Sequence, residues 1–376
     1  MSVHRPTVII GGGVAGLAVA KALSDNGWPC VIVEKDRRLG GRVADWPCVA
    51  TESCQRCFAC SVEDVAHEVQ SSPHVTTLLG HRISSVARDN GNAFRVGVRA
   101  EEQGPPSLAT GGDTNVEIDL GDSLQGGGSE SILEASAVVV ATGFEPYDPT
   151  EKGFWGYGQV EGVLTLKDLN VFLRNDDLAG FAGKCDQPLR VAFLQCVGSR
   201  DRSIGANYCS HYCCQSALRT ALKLRSEFRD WDITVFYIDL QIPGKLAADL
   251  VQSAIQRNVR LIQGVPGEIV PRSDGHLDIV REDSGRNIHE TYDRIVLSIG
   301  QRPSESSAHM GEMLGLEADE FGFLASRHGT DSCRTAIPGV YLAGTCGGPK
   351  TIEETLLHAS ETAWAILSDQ HTLLTA

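Results

Sequence analysis

Cysteine is the residue type in this chain most able to do chemistry, and there are 12 cysteines among 376 residues. Eight of them fall in two groups. The first group spans thirteen residues and contains Cys48, Cys54, Cys57 and Cys60. The second spans nineteen residues and contains Cys196, Cys209, Cys213 and Cys214. No export signal is apparent and cytoplasmic thiols stay reduced, so the clustering favours metal or redox chemistry over disulfides.

The first group has a spacing that suits an iron–sulfur cluster. The Cys-x2-Cys-x2-Cys register lets Cys54, Cys57 and Cys60 wrap three thiolates around one face of an iron–sulfur cube, and Cys48 is a candidate fourth ligand. Zinc sites more often use two separated pairs of ligands. Three interpretations stay open here: an iron–sulfur cluster, zinc, and thiols that are unligated or completed by a partner.

The second group combines a strand end with a helix start. Cys196 follows a predicted strand, while Cys209, Cys213 and Cys214 lie at the beginning of a predicted helix. Adjacent cysteines cannot readily form a disulfide with each other. Both Cys213 and Cys214 can join a cluster at the helix N-terminus, where the helix dipole stabilises thiolates.

A glycine pattern near the N-terminus predicts a dinucleotide site. It consists of Gly11, Gly13, Val14, Ala15 and Gly16. The glycines allow a tight turn, a close approach of the backbone to a pyrophosphate, and close packing of helix on strand. Glu34 ends the next predicted strand, where it can accept hydrogen bonds from ribose hydroxyls, and Lys35 follows it. The alternative is an ordinary tight turn between strand and helix.

Separated turns farther along the chain favour FAD as the dinucleotide. They supply Gly41, Arg42, Thr142, Gly143, Gly344 and Thr345, and a helix follows with Thr351 and Ile352 at its start. We expect these turns to line the phosphates and ribityl chain, and the last helix to direct its N-terminus at the flavin ring. The alternative is that these are ordinary strand-end turns.

Lys350 is the candidate catalytic residue. As a cation beside a flavin it can stabilise the reduced anion or approach N5. The alternative is a solvated lysine at a helix cap, and the sequence favours neither.

The elements that position these residues form two α/β series. Residues 7–34 predict a strand–helix–strand unit, and a second series follows from residue 191. We expect an α/β, thioredoxin-reductase-like flavoprotein with two domains. A Rossmann-type FAD-binding domain comprises residues 1–150 and 305–376, and an inserted α/β domain, 151–304, carries the second cysteine group.

The second α/β series lacks a glycine fingerprint of its own. Its first strand is followed by Gln195-Cys196-Val197-Gly198-Ser199-Arg200-Asp201, so a cysteine stands where nicotinamide binding would be expected. We therefore expect electrons to enter or leave through metal rather than by hydride transfer.

Composition excludes several classes of partner. The net charge of -15 disfavours nucleic acid and anionic lipid. The longest early apolar run, Thr7 to Ala20, is interrupted by glycines and is too short to span a bilayer. We expect a cytoplasmic protein that does not insert directly into a membrane.

Several stretches together resemble one known family. They are Gln195 to Asp201, Tyr208-Cys209-Ser210, Cys213-Cys214, Ile238-Asp239 with Gly244-Lys245, and Gly339-Val340-Tyr341-Leu342-Ala343-Gly344 with Gly348-Pro349-Lys350. These stretches resemble the flavin-binding A subunit of heterodisulfide reductase. The resemblance implies a [4Fe-4S] cluster near the FAD, held by Cys196, Cys209, Cys213 and Cys214. Whether Cys54, Cys57 and Cys60 hold a second cluster stays open.

The chain begins at its flavin fingerprint and ends without ferredoxin-like cysteine repeats. In this it resembles the short A subunits of heterodisulfide reductase-like complexes of sulfur oxidisers, and next the A subunits of quinone-interacting oxidoreductases. The resemblance implies a homodimer core with B- and C-type partner subunits, and an electron relay for the oxidation of protein-bound sulfur. The alternatives are a stand-alone NAD(P)H-dependent disulfide or ferredoxin reductase and a zinc-stabilised nucleotide-binding scaffold.

Overall fold

The structure is a computed structural model that describes residues 5–89, 93–100, 124–125, 130–185 and 188–375. The chain forms two compact units. The first unit comprises Met1–Ala44, Phe58–Glu145 and Pro303–Ala376. The second comprises Asp45–Cys57 and Pro146–Arg302.

Nineteen strands occur in the described ranges. They are β1 (Thr7–Ile10), β2 (Cys30–Glu34), β3 (Val75–Leu79), β4 (His81–Arg88), β5 (Phe94–Ala100), β6 (Leu124–Gln125), β7 (Glu130–Ala135), β8 (Ala137–Val140), β9 (Phe144–Pro146), β10 (Val163–Thr165), β11 (Arg190–Val197), β12 (Asp232–Tyr237), β13 (Arg260–Gln263), β14 (Glu268–Pro271), β15 (Leu277–Asp283), β16 (Arg286–Tyr292), β17 (Arg294–Ile299), β18 (Gln301–Pro303) and β19 (Val340–Leu342).

Eight α-helices connect the strands over the same ranges. They are α1 (Val14–Asp25), α2 (Ala59–Ser71), α3 (Leu166–Arg174), α4 (Leu178–Ala182), α5 (Cys213–Glu227), α6 (Ala247–Gln256), α7 (Glu305–Leu314) and α8 (Ile352–Thr375). Short 3-10 helices include Gly41–Asp45 and Gly344–Gly347. No helix of the described ranges is both long and apolar enough to cross a bilayer.

The first unit is built on a parallel sheet of order β19-β8-β1-β2-β3. Every residue of β1, β2 and β8 is buried, as expected for parallel strands covered on both faces. An antiparallel sheet of order β4-β5-β7-β6 supplies Phe94, Val96 and Leu133 to the core on one face. The predicted strand–helix–strand unit is confirmed, because β1 and β2 pair in parallel and α1 connects them.

The second unit repeats the parallel arrangement with a sheet of order β10-β17-β11-β12-β13. One face of β11 packs Val191 and Phe193 against Ala217 and Leu218 of α5. The other face packs Leu194 into a cluster that includes residues of β15, from an antiparallel sheet of order β14-β15-β16. The sequence analysis did not anticipate this antiparallel sheet.

The compact units change at residues 145/146 and 302/303, near the limits expected for the inserted domain. Asp45–Cys57 groups with the second unit, which the sequence did not indicate. Within that unit Arg257 forms an ion pair with Glu52, 205 residues away in the chain. The assignment of one domain to FAD and the other to a cluster stays a prediction.

Candidate functional site

The turn between β1 and α1 requires glycine at two positions. Gly11 has a φ of +110°, and a Cβ there would lie 2.5 Å from the Ala141 carbonyl oxygen. A Cβ on Gly16 would lie 1.9 Å from the Gly11 carbonyl oxygen. The helix begins after Gly13, and no side chain caps it. Its first N–H groups are therefore available to an anion, with Val14 and Ala15 in the first turn.

A second glycine turn lies against the first. The Gly40 N–H donates to the Gly12 carbonyl at 2.8 Å, and a Cβ on Gly41 would lie 3.0 Å from the Gly13 Cα. Gly41, which we expect to line the FAD, thus lies beside the turn that we expect to bind its phosphates. Arg42 donates from Nε to the Phe144 carbonyl oxygen at 3.0 Å. Its guanidinium also lies over the aromatic ring of Phe144.

The two later turns meet the same region of the first unit. A Cβ on Gly344 would lie 2.6 Å from the Cβ of Ala15, so this turn closes on the start of α1. A Cβ on Gly143 would lie 4.0 Å from Thr345 Oγ1. The turns that the sequence separates by hundreds of residues therefore converge, and their glycines leave a cradle of bare backbone that suits a dinucleotide.

Glu34 lies at the carboxyl end of β2 and is buried. Its Oε2 accepts from the Gly12 N–H at 2.6 Å, and its Oε1 accepts from the Asp36 N–H at 2.8 Å. Burial raises the pKa of the Glu34 carboxyl, and these two backbone hydrogen bonds oppose the shift. Each oxygen keeps a further lone pair for a ribose hydroxyl. Lys35 is exposed.

The last helix begins where the sequence predicted it, with a capping box formed by Thr351 and Glu354. Thr351 N–H donates to Glu354 at 2.8 Å, and the Glu354 N–H donates to Thr351 Oγ1 at 3.1 Å, so that α8 begins at Ile352. Lys350, just before the cap, is half-buried rather than fully solvated. Burial lowers the pKa of its amine. Its role at the flavin stays a prediction.

His358 is a site residue that the sequence analysis missed. It is buried in α8, and its Nδ1 accepts from the Gly344 N–H at 3.0 Å while its Nε2 lies 3.0 Å from the Ser332 carbonyl. The acceptor role of Nδ1 requires the neutral ring with its proton on Nε2. His358 therefore holds the Gly344 turn in place. Burial lowers the pKa of this imidazole, with a smaller contribution from Lys350.

The second cysteine group comes together in the second unit. Electrostatic interactions link Cys196 with Cys209 and Cys214, and link Cys213 with the other three. Cys213 and Cys214 are the first two residues of α5 and are buried, while Cys196 and Cys209 are partly buried. The four thiols thus lie near one another at the start of α5, and their role as cluster ligands stays a prediction.

A β-bulge directs Cys196 toward this group. The register of β11 on β17 shifts between Leu194 and Val197, so that Gln195 and Cys196 both face Ser298. Cys196 adopts a left-handed backbone conformation with a φ of 62°. Such a conformation is uncommon for a residue other than glycine, and bulges of this kind reorient side chains beside functional sites.

Burial makes these thiols poor thiolates in the absence of a compensating charge. It raises the pKa of Cys196 to about 12, and it also raises the pKa of Cys213 and of Cys214. The Arg200 guanidinium lowers the pKa of Cys196 by a smaller amount. Arg200 is itself ion-paired with Asp239. A cationic metal centre would reverse the balance, because coordination deprotonates thiols.

The cysteine sulfurs of the described residues do not form a preassembled site for a single zinc ion. Around zinc, with Zn–S bonds of about 2.3 Å, tetrahedral thiolates lie about 3.8 Å apart. Among the described residues no three cysteine sulfurs lie within 4.8 Å of one another. A cube holds each thiolate on a different iron and therefore needs a wider separation. The absence of so close a trio is compatible with a cube, and the binding of a cube at α5 stays a prediction.

The first cysteine group is not assembled in the same way. Cys54 and Cys60 are exposed and Cys57 is half-buried, whereas Cys213 and Cys214 of the second group are buried. Cys54 and Cys57 belong to the second unit, whereas Cys60 lies in α2 of the first. The candidate fourth ligand, Cys48, is also exposed. The proposed second cluster stays a prediction.

Comparison with known proteins supports both the fold and the family resemblance. The family described as Pyridine nucleotide-disulphide oxidoreductase matches residues 5–363. The thioredoxin reductase of T. acidophilum is similar in structure, with a TM-score of 0.59 at 16% identity, over 97% of this chain and 98% of that one. The expected thioredoxin-reductase-like fold is thereby confirmed.

Two curated relatives are heterodisulfide reductase A subunits, which confirms the family resemblance. The A subunit of the Ferredoxin/F(420)H(2)-dependent CoB-CoM heterodisulfide reductase of Methanosarcina acetivorans is 27% identical over 96% of this chain and 53% of its own length. An iron-sulfur A subunit of the CoB--CoM heterodisulfide reductase of Methanopyrus kandleri is 29% identical over 95% of this chain and 63% of its own length. The chain thus spans between half and two thirds of these relatives.

Gly16→Ala should abolish flavin binding, since the added methyl group would overlap the Gly11 carbonyl and force the turn open. Overpacking of this kind typically costs about 1–3 kcal/mol of stability. Gly329→Ala is the matched control in the same unit, because its Cβ would meet nothing within 4 Å. Flavin absorbance per chain after reconstitution measures the effect. Equal flavin content in the two variants would show that the turn does not hold the cofactor.

His358 should make stability depend on pH. Because its pKa is lowered in the folded chain, the unfolded chain binds this proton more readily. The contribution of His358 to the free energy of unfolding is therefore fully present above the unfolded pKa of about 6.5. It is lost as the pH falls from there through the folded pKa.

His358→Asn keeps an acceptor for the Gly344 N–H but cannot titrate. We expect its Tm to fall less than that of the unmodified chain between about pH 7.5 and about pH 5.5. Glu34, whose raised pKa acts in the opposite direction, is present in both chains. Parallel Tm profiles would contradict the assignment.

Proposed function

Because this chain belongs to the pyridine nucleotide-disulphide oxidoreductase family, we propose that it is an electron-transfer subunit that uses FAD and a [4Fe-4S] cluster. The chain is an oxidoreductase by family. Its curated relatives are named as subunits of heterodisulfide reductases, and one of them as an iron–sulfur subunit. The single observation that carries the proposal is the gathering of four cysteines around the N-terminus of α5.

The first unit would bind FAD through backbone and one carboxylate. The N–H groups at the start of α1 would hold the pyrophosphate, and Glu34 would accept from the ribose of the adenosine half. The turns at Gly143 and Gly344 would line the ribityl chain, with His358 fixing the second of them. FAD would supply a carrier that takes electrons in pairs and releases them singly.

Residues around position 350 would stabilise the reduced form of the flavin ring. Lys350 would supply positive charge near the reduced ring, and the N–H groups of Ile352 and its neighbours would add the dipole of α8. The lowered pKa of Lys350 suits a group that can also give up its proton. Thr351 would orient this end of the helix through the capping box.

The second unit would hold the cluster on Cys196, Cys209, Cys213 and Cys214. The bulge in β11 would bring Cys196 to the helix start, and the α5 dipole would stabilise the thiolates. Arg200 would offset part of the negative charge near Cys196. The cluster would supply a one-electron carrier.

We extend the proposal to the setting implied by the family resemblance. The protein would store and relay electrons for a heterodisulfide reductase-like complex in the oxidation of protein-bound sulfur. A homodimer of this chain would form the core, with B- and C-type subunits carrying the substrate chemistry, in the cytoplasm. The relatives' names as heterodisulfide reductase subunits support a multi-subunit assembly.

Iron, acid-labile sulfide and flavin content per chain tests the cofactor assignment. We expect about one flavin and about four irons per chain after anaerobic purification if one cube is bound. Cys213→Ala should remove most of the iron and sulfide and leave the flavin. Cys57→Ala is the matched control from the first cysteine group, and it should retain the iron of the cluster at α5. Zinc without iron in the unmodified chain would refute the proposal.

A second candidate function is favoured by the family itself, whose description names a pyridine nucleotide. The chain would then be a stand-alone NAD(P)H-dependent disulfide or ferredoxin reductase. Against it, the second unit carries Cys196 where a nicotinamide-binding glycine turn would be expected. Anaerobic stopped-flow mixing with NADH distinguishes the two. We expect no rapid bleaching of the flavin, whereas rapid stoichiometric bleaching by the purified chain alone would favour the reductase.

A further inference from the structure

Two buried polar side chains of the second unit lack hydrogen-bond partners. Gln195 is 5% exposed and Ser298 is 1% exposed. Within the part of the chain that the structure describes, neither Nε2 nor Oε1 of Gln195 has a partner, and neither does Oγ of Ser298. Buried polar groups are normally paired, because an unpaired group loses its bonds to water and gains nothing in return. This pair therefore needs an explanation.

Both side chains lie on the face of the sheet that carries α5. In β11, Val191 and Phe193 pack toward α5, and the alternation of the strand brings Gln195 to the same face. In β17, Val296 belongs to that core, and Ser298 is two residues farther on. The β-bulge sets Gln195 opposite Ser298.

This position is adjacent to the four cysteines. Gln195 directly precedes Cys196, and Cys213 at the start of α5 reaches Ile299, the residue after Ser298, with its Sγ 3.9 Å from the carbonyl oxygen. The two unpaired groups thus lie at the carboxyl end of the sheet, where the cysteine group is held. Sulfur held at this end of the sheet can accept their hydrogens.

We propose that the Gln195 amide and the Ser298 hydroxyl donate hydrogen bonds to sulfur atoms of the cluster and thereby raise its reduction potential. The inference rests on the proposed function and deepens it, because it names the residues that set the potential. Reduction adds one electron to the cluster and its sulfur atoms become more negative. Donors aimed at sulfur stabilise that state more than the oxidised one. Neither residue would be a ligand.

The alternative is that the two groups are a structural defect tolerated in the core. In that case replacing them with apolar side chains of similar volume would stabilise the chain and leave the potential unchanged. In a redox titration of such variants, the proposal therefore predicts a lower potential of the cluster, whereas the alternative predicts an unchanged potential.

The test is an EPR-monitored redox titration of the full chain, purified without oxygen, with iron and sulfide counted in each sample. Gln195→Met keeps the approximate volume and removes the donors. At the midpoint potential of the unmodified chain, we expect its ratio of reduced to oxidised cluster to fall about fivefold, the factor expected for one ordinary hydrogen bond. For a one-electron couple this is about 40 mV.

Ser298→Ala should shift the ratio of reduced to oxidised cluster in the same direction. It provides the test if Gln195→Met fails to fold. Gln195→Glu should lower the potential further, since it replaces donors by an acceptor. The matched control is Thr234→Val in the neighbouring strand β12, a buried residue whose hydroxyl accepts from Arg260. Its midpoint should equal that of the unmodified chain.

Unchanged midpoints in Ser298→Ala and Gln195→Met, at full iron content, would overturn the inference and leave the proposed function intact. An equal shift in Thr234→Val would overturn it as well, because the effect would then be unspecific. Absence of iron and sulfide from the unmodified chain would instead refute the proposed function.

Discussion

Removal of water from Cys196, Cys213 and Cys214 at α5 is the constraint on which the second unit depends. Burial disfavours the thiolate, and the pKa of Cys196 rises to about 12 as a result. Two buried and two partly buried thiols contribute little to a core that apolar residues could fill more simply. The bulge at Cys196 and the helix start at Cys213 are understandable if a cationic cluster restores the balance, because coordination stabilises thiolates where water cannot.

The two units share one architecture, a parallel sheet followed by a helix. Each has a parallel sheet, and in each the carboxyl ends of the strands lead to the start of a helix, where ligands of open α/β sheets usually bind. In the first unit that helix follows glycines, so bare N–H groups face the position of a phosphate. In the second unit the corresponding helix begins with two cysteines. Under the proposed function, cysteines in the second unit stand where the first unit has glycines, and they would hold a metal cluster instead of a phosphate.

The sequence predicted elements with a recognisable local pattern, and it missed distant contacts that leave no such pattern. The glycine turn at Gly11 and the capping box at Thr351 follow from local spacing. His358 escaped notice because folding supplies its partner, Gly344. The grouping of Asp45–Cys57 with the second unit involves an ion pair between residues 205 positions apart, which no local pattern reveals. Ser298 did leave a signal, as a polar residue that interrupts the apolar run from Ile295 to Ile299.

The central claim is that FAD and a cluster exchange single electrons within one protein. The most direct test photoreduces the flavin of the full chain without oxygen and follows the flavin by absorbance and the cluster by freeze-quench EPR. We expect the cluster signal to grow as reduced flavin decays, at a rate that does not change with protein concentration, and to be absent in Cys196→Ala. A rate proportional to concentration, or a reduced flavin that persists beside an oxidised cluster of higher potential, would contradict the account.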